Sequence, residues 1–152
     1  MLTIRNATAT DAQIIADFNC RLAMETENNT LDSALVSRGV RRGLEQADEV
    51  TYLVAEVDGQ VVGQLMLTRE WSDWRDGWMY WLQSVYVLAE FRGQNVFRRL
   101  LEHAKSQLHN RGDVVGLRLY VELENAAAIE TYQRLGFTSP GYSVMELPMD
   151  RG

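Results

Sequence analysis

The spacing of apolar residues in the first third of the chain predicts one short strand followed by two helices. Leu2 to Arg5 has the composition of a strand, and a helix is predicted from Thr10 because Thr10 and Gln13 have capping-box spacing. A second helix is predicted after Asp32, whose carboxylate can cap the first amides. Four apolar residues share one face of the first helix: Ile14, Ile15, Phe18 and Leu22.

The middle of the chain changes to strand-forming residues. Thr51 to Val57 and Gln60 to Thr68 are predicted strands, and the Asp58-Gly59 pair between them is typical of a tight hairpin turn. A long aromatic strand is predicted from Trp78 to Val87, after a mostly polar turn from Glu70 to Gly77. These elements predict consecutive antiparallel hairpins.

Helical periodicity returns in the last third. A helix is predicted from Asn95 to Asn110, then a strand from Val114 to Val121, then a helix from Asn125 to Leu135 that Gly136 ends. Phe137 and Tyr142 to Leu147 are predicted to close the sheet. Because hairpins come first and a crossover helix comes later, we expect a mixed sheet. The buried stripe of the first of these helices consists of Phe97, Leu100, Leu101, Ala104 and Leu108.

Composition narrows the class of protein. A chain of 152 residues with 46% hydrophobic and 24% charged residues fits one globular domain, residues 1–152. No apolar run reaches about 18 residues, and the N-terminus lacks the basic and apolar stretches of a secretory signal. The single cysteine, Cys20, excludes an internal disulfide. We therefore expect a cytoplasmic protein that does not bind a membrane.

The charge balance argues against a nucleic-acid partner. Fifteen basic and 21 acidic residues give a net charge of -6, and the basic residues are scattered. A nucleic-acid binder normally needs a basic surface that neutralises phosphates. The acidic surface is suited to attracting a cationic substrate, or it serves only to keep the protein dissolved.

The loop that joins the aromatic strand to the next helix has features of an anion site. Free amides at a helix start bind anions, Gly93 allows close approach, and Asn95 tolerates a left-handed backbone. Consecutive amides from Gln94 to Phe97 are suited to a pyrophosphate. The loop contains neither Gly-Lys-Ser/Thr nor Gly-x-Gly-x-x-Gly, which excludes two familiar nucleotide motifs. Taken alone, it also fits an ordinary strand-to-helix turn.

This loop and a later helix together resemble the GNAT acetyltransferases. Arg92 and Gly93 match the start of that family's acyl-CoA signature, whereas Asn95 replaces the usual glycine and Phe97 replaces glycine or alanine. The segment from Asn125 to Phe137 matches the family's Asn, Ala, Tyr and Gly-Phe positions at their usual spacing. The element order fits as well, so the resemblance covers nearly the whole chain.

The resemblance implies an α/β fold with a splayed, six- or seven-stranded mixed sheet and about four helices. It also implies a bulge in the strand before the loop. Acetyl-CoA would be the acyl donor, and a primary amine of a small molecule or peptide would attack its thioester directly, without a metal. A homodimer is compatible with this reading.

By the same resemblance, each part of the site has candidate residues. The Tyr132 hydroxyl would protonate the CoA thiolate, and Asn125 would cap its helix and bind the pantetheine arm. Glu70 would act through water as the base, because Gln83 stands where many relatives have glutamate. Glu25, Glu27, Asp73 and Asp76 are alternatives, or no base is needed if the amine arrives neutral. The candidate donor-binding residues are Val85, Tyr86, Val87, Arg92, Gly93, Gln94, Asn95, Val96, Phe97, Arg98, Asn125 and Tyr132.

The acceptor is expected to meet Glu25, Glu27, Trp81 and Gln83, although a solvated loop acid is the better explanation for either glutamate taken singly. His103 and His109 have no ligand set around them and are not expected to bind metal. Two alternatives remain open. The fold binds acyl-CoA as a sensor without turnover, or it acts through a tryptophan-rich face of Trp71, Trp74, Trp78 and Trp81.

Overall fold

A computed structural model describes residues 1–151 of the chain, which divide into two compact units. The first unit, Met1–Tyr120, contains a five-stranded sheet and three α-helices, and the second unit begins at Val121. The elements of the first unit are β1 (Leu2–Asn6), α1 (Ala12–Glu27), α2 (Ser33–Leu44), β2 (Val50–Val57), β3 (Gln60–Ser72), β4 (Gly77–Val87), α3 (Val96–Arg111) and β5 (Val114–Leu119).

The sheet follows chain order from β1 to β5. The first three pairings are antiparallel, and β4 pairs with β5 in parallel because α3 provides the crossover between them. The predicted mixed sheet is therefore confirmed.

The two faces of the sheet carry different helices. Val54 and Tyr52 of β2 are buried against Ile15 and Ala16 of α1 and Val40 of α2. On the opposite face Gly63 lies against α3, so closely that a Cβ atom there would stand 2.9 Å from Val96 Cγ1. The first unit thus has three layers, with its apolar core on both sides of β2 and β3.

The cap at the start of α1 differs from the prediction. A short 3₁₀ turn, Ala9–Asp11, precedes the helix, and the Asp11 carboxylate accepts a hydrogen bond from the Thr8 amide at 2.7 Å. The box therefore joins Thr8 and Asp11 and not Thr10 and Gln13. Gln13 instead donates to Asp17 Oδ1 at 2.9 Å. The cap forms at Asp11 because the same carboxylate also accepts two hydrogen bonds from Arg5, at 2.8 and 2.9 Å.

The other local signals in the first unit are reproduced. Asp32 caps α2 by accepting from the amides of Ala34 and Leu35. The hairpin turn places Asp58 and Gly59 at φ angles of 50° and 81°, as a two-residue turn with two left-handed positions requires. The next hairpin is longer than predicted, because β3 continues to Ser72 and β4 begins at Gly77.

The second unit contains α4 (Ala126–Arg134), capped by Asn125 Oδ1, which accepts from the Ala128 amide at 3.1 Å. Gly136 follows at a φ of 99°, a left-handed position that ends the helix as predicted. The expected strands at Phe137 and Tyr142 to Leu147 are wrong, since residues 135–151 form no strand. Pro140 has no amide to donate and Gly141 is left-handed at 86°, so the backbone turns where a strand would have to start. The sheet described by residues 1–151 thus has five strands, fewer than the six or seven expected.

Among the described residues, none of the helices combines the length and the apolar character that crossing a membrane requires.

Candidate active site

The pairing between strands β4 and β5 ends half-way along β4. Their register runs from Trp78 paired with Val114 to Leu82 paired with Leu119. Strand β5 ends at Leu119, whereas β4 continues to Val87. The last five residues of β4 therefore extend past the end of its parallel neighbour, and within residues 1–151 their main chain has no strand partner on that side. We refer to this unpaired side of β4 as the opening.

A β-bulge lies at the same place in β4. Gln64 of β3 pairs with Tyr86 and Met66 pairs with Gln83, so Ser84 and Val85 together stand opposite one residue, Leu65. Ser84 has a φ of 51°, which is unusual for a residue other than glycine. The bulge that the resemblance implies is present, and it changes the direction of the main chain beside the opening.

A buried amide side chain supports the bulge. Gln64 is fully buried, and its Nε2 donates to the Ser84 carbonyl at 3.1 Å and to Asn19 Oδ1 on α1 at 2.8 Å. Within the part of the chain that the structure describes, Gln64 Oε1 has no hydrogen-bond partner. A polar group that is buried inside an apolar core destabilises the fold unless its hydrogen bonds are made. This arrangement ties α1 to the bulge through two hydrogen bonds.

The loop after β4 leads directly into the N-terminus of α3. Gly93 and Asn95 take left-handed φ angles of 77° and 65°, and Asn95 is the residue that precedes the helix. The α-helical hydrogen-bond ladder starts where the Arg99 amide donates to the Asn95 carbonyl at 3.0 Å. Amides of the first helical turn have no carbonyl four residues earlier within the helix, and they carry the positive end of its dipole.

The loop also fits a diphosphate sterically. A Cβ atom at Gly93 would meet nothing within 4 Å, so the main chain here is open to a ligand. Gln94, Asn95 and Arg98 are exposed, Val96 is buried against β3, and Phe97 is half-buried. The residues present are therefore compatible with the diphosphate of an acyl donor held mainly by backbone groups.

Three charged or polar side chains join the loop to α1. Arg92 donates from Nε to the Val87 carbonyl at 2.9 Å and from Nη2 to Glu25 Oε1 at 2.6 Å. Tyr86, which is buried against Phe18, donates from its hydroxyl to Glu25 Oε2 at 2.5 Å. The side chain of Tyr86 is thus directed to α1, so only the main chain of Tyr86 could contact a bound acyl donor.

These contacts shift the acid–base balance of the cluster. The pKa of Glu25 lies below its usual value because its carboxylate accepts from Tyr86 and Arg92. The pKa of Tyr86 is raised, first by burial and then by the neighbouring carboxylate. At neutral pH the cluster therefore consists of an ionised Glu25 and a protonated Tyr86. Glu27 is exposed, as Glu25 is, and stands at the last position of α1.

A second polar cluster lies on the sheet face shared by α1 and α2, around Glu70. Its carboxylate accepts from Trp81 Nε1 and from Arg118 Nη1, both at 3.1 Å. The Trp81 ring is stacked on Tyr120, with 4.5 Å between the centroids and 19° between the planes. Gln83 lies two residues after Trp81 on β4, on the same face of the sheet, and it donates to Thr68 Oγ1 at 2.7 Å. The structure thus brings Glu70, Trp81 and Gln83 to one face of the sheet.

The four tryptophans do not form one face. Trp71 packs edge-on against Trp78 at 5.1 Å, on the side opposite to Trp81, and Trp74 is 88% exposed in the hairpin turn. Asp73 and Asp76, the alternative bases, also lie in that turn.

Asn125 and Tyr132 belong to the second unit. Asn125 caps α4 as expected. Tyr132 is half-buried, and its ring packs edge-on against Phe137 at 5.8 Å. Burial raises the pKa of the Tyr132 hydroxyl, so this group stays protonated at neutral pH.

Four residues of these clusters were absent from the expected site: Asn19, Gln64, Arg118 and Tyr120. A signal for Gln64 does exist in the sequence. It is the only polar residue between Val61 and Leu67 apart from a glycine, and an isolated amide in an apolar strand indicates a specific buried partner. Strand register brings Arg118 to Glu70, and it places Tyr120, one residue beyond the end of β5, against Trp81; spacing along the chain does not reveal either contact.

Comparison with known proteins gives concordant results. A family model described as the acetyltransferase (GNAT) family matches residues 18–137. An uncharacterized N-acetyltransferase of Methanocaldococcus jannaschii is 28% identical over 136 residues, which are 89% of this chain. The match spans only 60% of that relative's length.

Two solved structures show the same fold. The crystal structure of a possible acetyltransferase from Clostridium difficile 630 is 39% identical, with a TM-score of 0.92 over 99% of both chains. A predicted acetyltransferase from Clostridium acetobutylicum, solved with acetyl-CoA, has a TM-score of 0.78 over 97% of this chain and 96% of its own. At 16% identity, that second likeness shows the fold alone.

Proposed function

The chain belongs to the acetyltransferase (GNAT) family, and we propose from this that it transfers an acetyl group from acetyl-CoA to a primary amine of a small molecule or peptide. The observation that carries the proposal is the opening beside β4. There the strand extends past Leu119 of β5, bulges at Ser84, and leads into the open loop and the N-terminus of α3.

In this proposal the donor is held mostly by main chain. The diphosphate of acetyl-CoA would lie on the amides from Gln94 to Arg98, beside Gly93, where the helix dipole favours negative charge. The pantetheine arm would follow the backbone of Val85, Tyr86 and Val87 along the opening, and the family resemblance assigns Asn125 to the same arm. The Clostridium acetobutylicum protein, which shares the fold, was solved with acetyl-CoA, so the fold is one that can hold the proposed donor.

The chemical step is a direct displacement. The neutral amine nitrogen attacks the thioester carbonyl carbon, the new C–N bond forms, and the C–S bond breaks. The amine gives up one proton, and the departing thiolate takes one, which we assign to the Tyr132 hydroxyl. Main-chain donors of the β4 bulge would stabilise the negative charge that develops on the carbonyl oxygen. A phenol kept protonated by burial suits the role of acid.

The acceptor would approach from the face that carries Glu70, Trp81 and Gln83. Glu70 is the candidate base, acting through water. Glu25 is ion-paired with Arg92, so we assign it to the support of the loop between β4 and α3 and leave Glu27, at the end of α1, as the carboxylate for the acceptor. We further propose a single-domain, cytoplasmic enzyme that works without a metal, with a homodimer as its possible assembly.

A sensor that binds acyl-CoA without turnover is the second candidate, and one observation favours it. Glu70 already accepts hydrogen bonds from both Trp81 and Arg118. Gln83 cannot take a proton and donates to Thr68, so neither residue supplies an uncommitted carboxylate as the base. An amine that arrives uncharged would still react without a base.

The test measures release of free CoA from acetyl-CoA with a panel of primary amines. Turnover with at least one amine supports the transferase, and Tyr132→Phe should lower kcat by about 100-fold or more, because acid catalysis typically contributes that much. Tyr142→Phe is the matched control, since it removes the same hydroxyl from a tyrosine that is 70% exposed in the same unit. Stabilisation of the fold by acetyl-CoA without any turnover would identify the sensor. The absence of both effects would contradict both candidates.

A further inference from the structure

The buried amide of Gln64 is the feature of the first unit that packing alone does not explain. Its neighbours along β3, Val62 and Leu65, are fully buried apolar residues, and its own side chain is completely inaccessible. A leucine or methionine at this place would avoid the cost of burying an amide whose Oε1 is left without a partner in residues 1–151. We infer that Gln64 is a positioning residue for acyl transfer, which fixes the β4 bulge through the Ser84 carbonyl.

The geometry of the peptide group explains how the effect reaches the opening. The Ser84 carbonyl and the Val85 N–H belong to one planar, trans peptide unit, so they point in opposite directions. Gln64 Nε2 holds the carbonyl at 3.1 Å and also donates to Asn19 on α1, so the carbonyl points towards α1 and β3 and the Val85 N–H points away from both. On the side of β4 away from β3, the pairing with β5 has already ended at Leu82. Gln64 thereby aims a main-chain donor at the place where the proposed function puts the thioester.

Ser84 needs this support because its own conformation is unfavourable. Its φ of 51° places a residue with a side chain in the left-handed region, which costs on the order of 1 kcal/mol. Without the bond from Gln64, the peptide unit is expected to relax to a more ordinary conformation and to rotate the Val85 N–H. Asn19 supports the same device from α1, because its Oδ1 accepts the second N–H of Gln64 at 2.8 Å and so fixes the rotamer of the amide.

The test compares Gln64→Met with Leu67→Met. Methionine keeps the length of glutamine but cannot donate to Ser84. Leu67 is equally buried on β3 and pairs with Leu82, outside the bulge, so its variant controls for a change of core packing. Gln64→Leu is a second variant that removes the same hydrogen-bond donor with a branched side chain, for use if the Gln64→Met protein does not fold.

The inference rests on the proposed function, and it predicts a change of kcat without a matching change of KM. Removing one oxyanion donor usually lowers kcat by about 100- to 1,000-fold, so a misdirected donor should lower it by about tenfold or more. The KM for acetyl-CoA should stay within about twofold, because the amides that hold the diphosphate lie elsewhere, on α3. A general loss of stability would instead affect Gln64→Met and Leu67→Met alike.

Hydrogen exchange gives a readout that does not need activity. Amides of the two pairings that flank the bulge, Gln64–Tyr86 and Met66–Gln83, should exchange about tenfold faster in Gln64→Met than in the wild type, while amides at the Leu67–Leu82 pairing stay unchanged. Unchanged exchange at the bulge, or a kcat equal to that of Leu67→Met, would overturn the inference. An inactive wild type would refute the proposed function and the catalytic part of the inference together, and the exchange data would still decide whether Gln64 holds the bulge.

Discussion

Replacing Asp11 with asparagine is expected to lower the free energy of unfolding by about 2–3 kcal/mol at neutral pH. Asp11 is 5% exposed, and it accepts two hydrogen bonds from the Arg5 guanidinium, at 2.8 and 2.9 Å, and one from the Thr8 amide at 2.7 Å. Breaking a buried ion pair typically costs about 3–5 kcal/mol, since it leaves one charge without its partner. Here Arg5 keeps Glu56 at 2.6 Å and is about one-third exposed, and asparagine still offers one acceptor, so the loss is smaller.

The pH dependence of this difference provides a sharper test than its size. The pKa of Asp11 is held below its usual 3.8, mainly by the hydrogen bonds from Arg5. A lowered pKa in the folded state means that the carboxylate stabilises the fold above the unfolded pKa, and that this contribution is lost as pH falls through the folded value. The wild type and Asp11→Asn should therefore differ fully at pH 7 and converge as the pH falls well below about 4.

Urea unfolding at several pH values measures both quantities, and the melting temperature at pH 7 should fall by about 4–12 °C. Asp58→Asn is the control, because Asp58 is 90% exposed and its pairing with the N-terminus should contribute little. A difference below about 0.5 kcal/mol at pH 7, or one that persists undiminished at low pH, would refute the idea that this ion pair holds β1 to the start of α1.

Two further predictions concern the loop between β4 and α3, where the acyl donor is proposed to bind, and the packing of β4 against β5. Glu25→Gln and Arg92→Ala should each raise the KM for acetyl-CoA by about threefold or more, and the double variant should add little, because the two side chains act through one ion pair. The Glu25 contact should also persist from neutral pH down to below about 4.5, since the pKa of Glu25 is lowered by Tyr86 and Arg92. Gly77→Ala should destabilise the fold by about 1–3 kcal/mol, because overpacking costs that much. The new Cβ would lie 2.4 Å from Val115 Cγ1 and 2.9 Å from the Asp113 carbonyl. Gly39→Ala in α2, where nothing lies within 4 Å, should instead stabilise the protein, and chemical denaturation compares the two.

Elements that depend on local signals were predictable from the sequence. The Asp58-Gly59 turn, the Asp32 and Asn125 caps and the stop at Gly136 each rest on a few consecutive residues, and the structure reproduces all of them. The cap of α1 was not predictable to the residue. Thr8–Asp11 and Thr10–Gln13 have the same spacing, and the choice between them depends on Arg5, whose position is set by pairing with β2.

Features that depend on register between strands were beyond the sequence. The cluster of Glu70, Trp81 and Arg118 exists because Trp81 pairs with Thr68 on one side and with Arg118 on the other. The sequence likewise does not specify that Glu25 pairs with Arg92, 67 positions away, instead of facing an amine substrate. The predicted strand from Tyr142 to Leu147 had the right alternation, but a strand also needs a neighbour, and alternation alone supplies none.

The places where local rules are broken give an independent argument that the opening beside β4 is functional. Within residues 1–151, five residues other than glycine have positive φ angles, and three of them, Asn28, Asp58 and Asp76, lie at a helix end or a hairpin turn, where this conformation is ordinary. The other two, Ser84 and Asn95, stand at the bulge and at the start of α3, on either side of the same loop. The buried Gln64 amide lies against one of them, at a cost to stability that an apolar residue would avoid. Since strained and buried polar groups persist where the surrounding structure holds them for a purpose, their concentration here agrees with the proposal that the main chain of β4 and the loop bind the acyl donor.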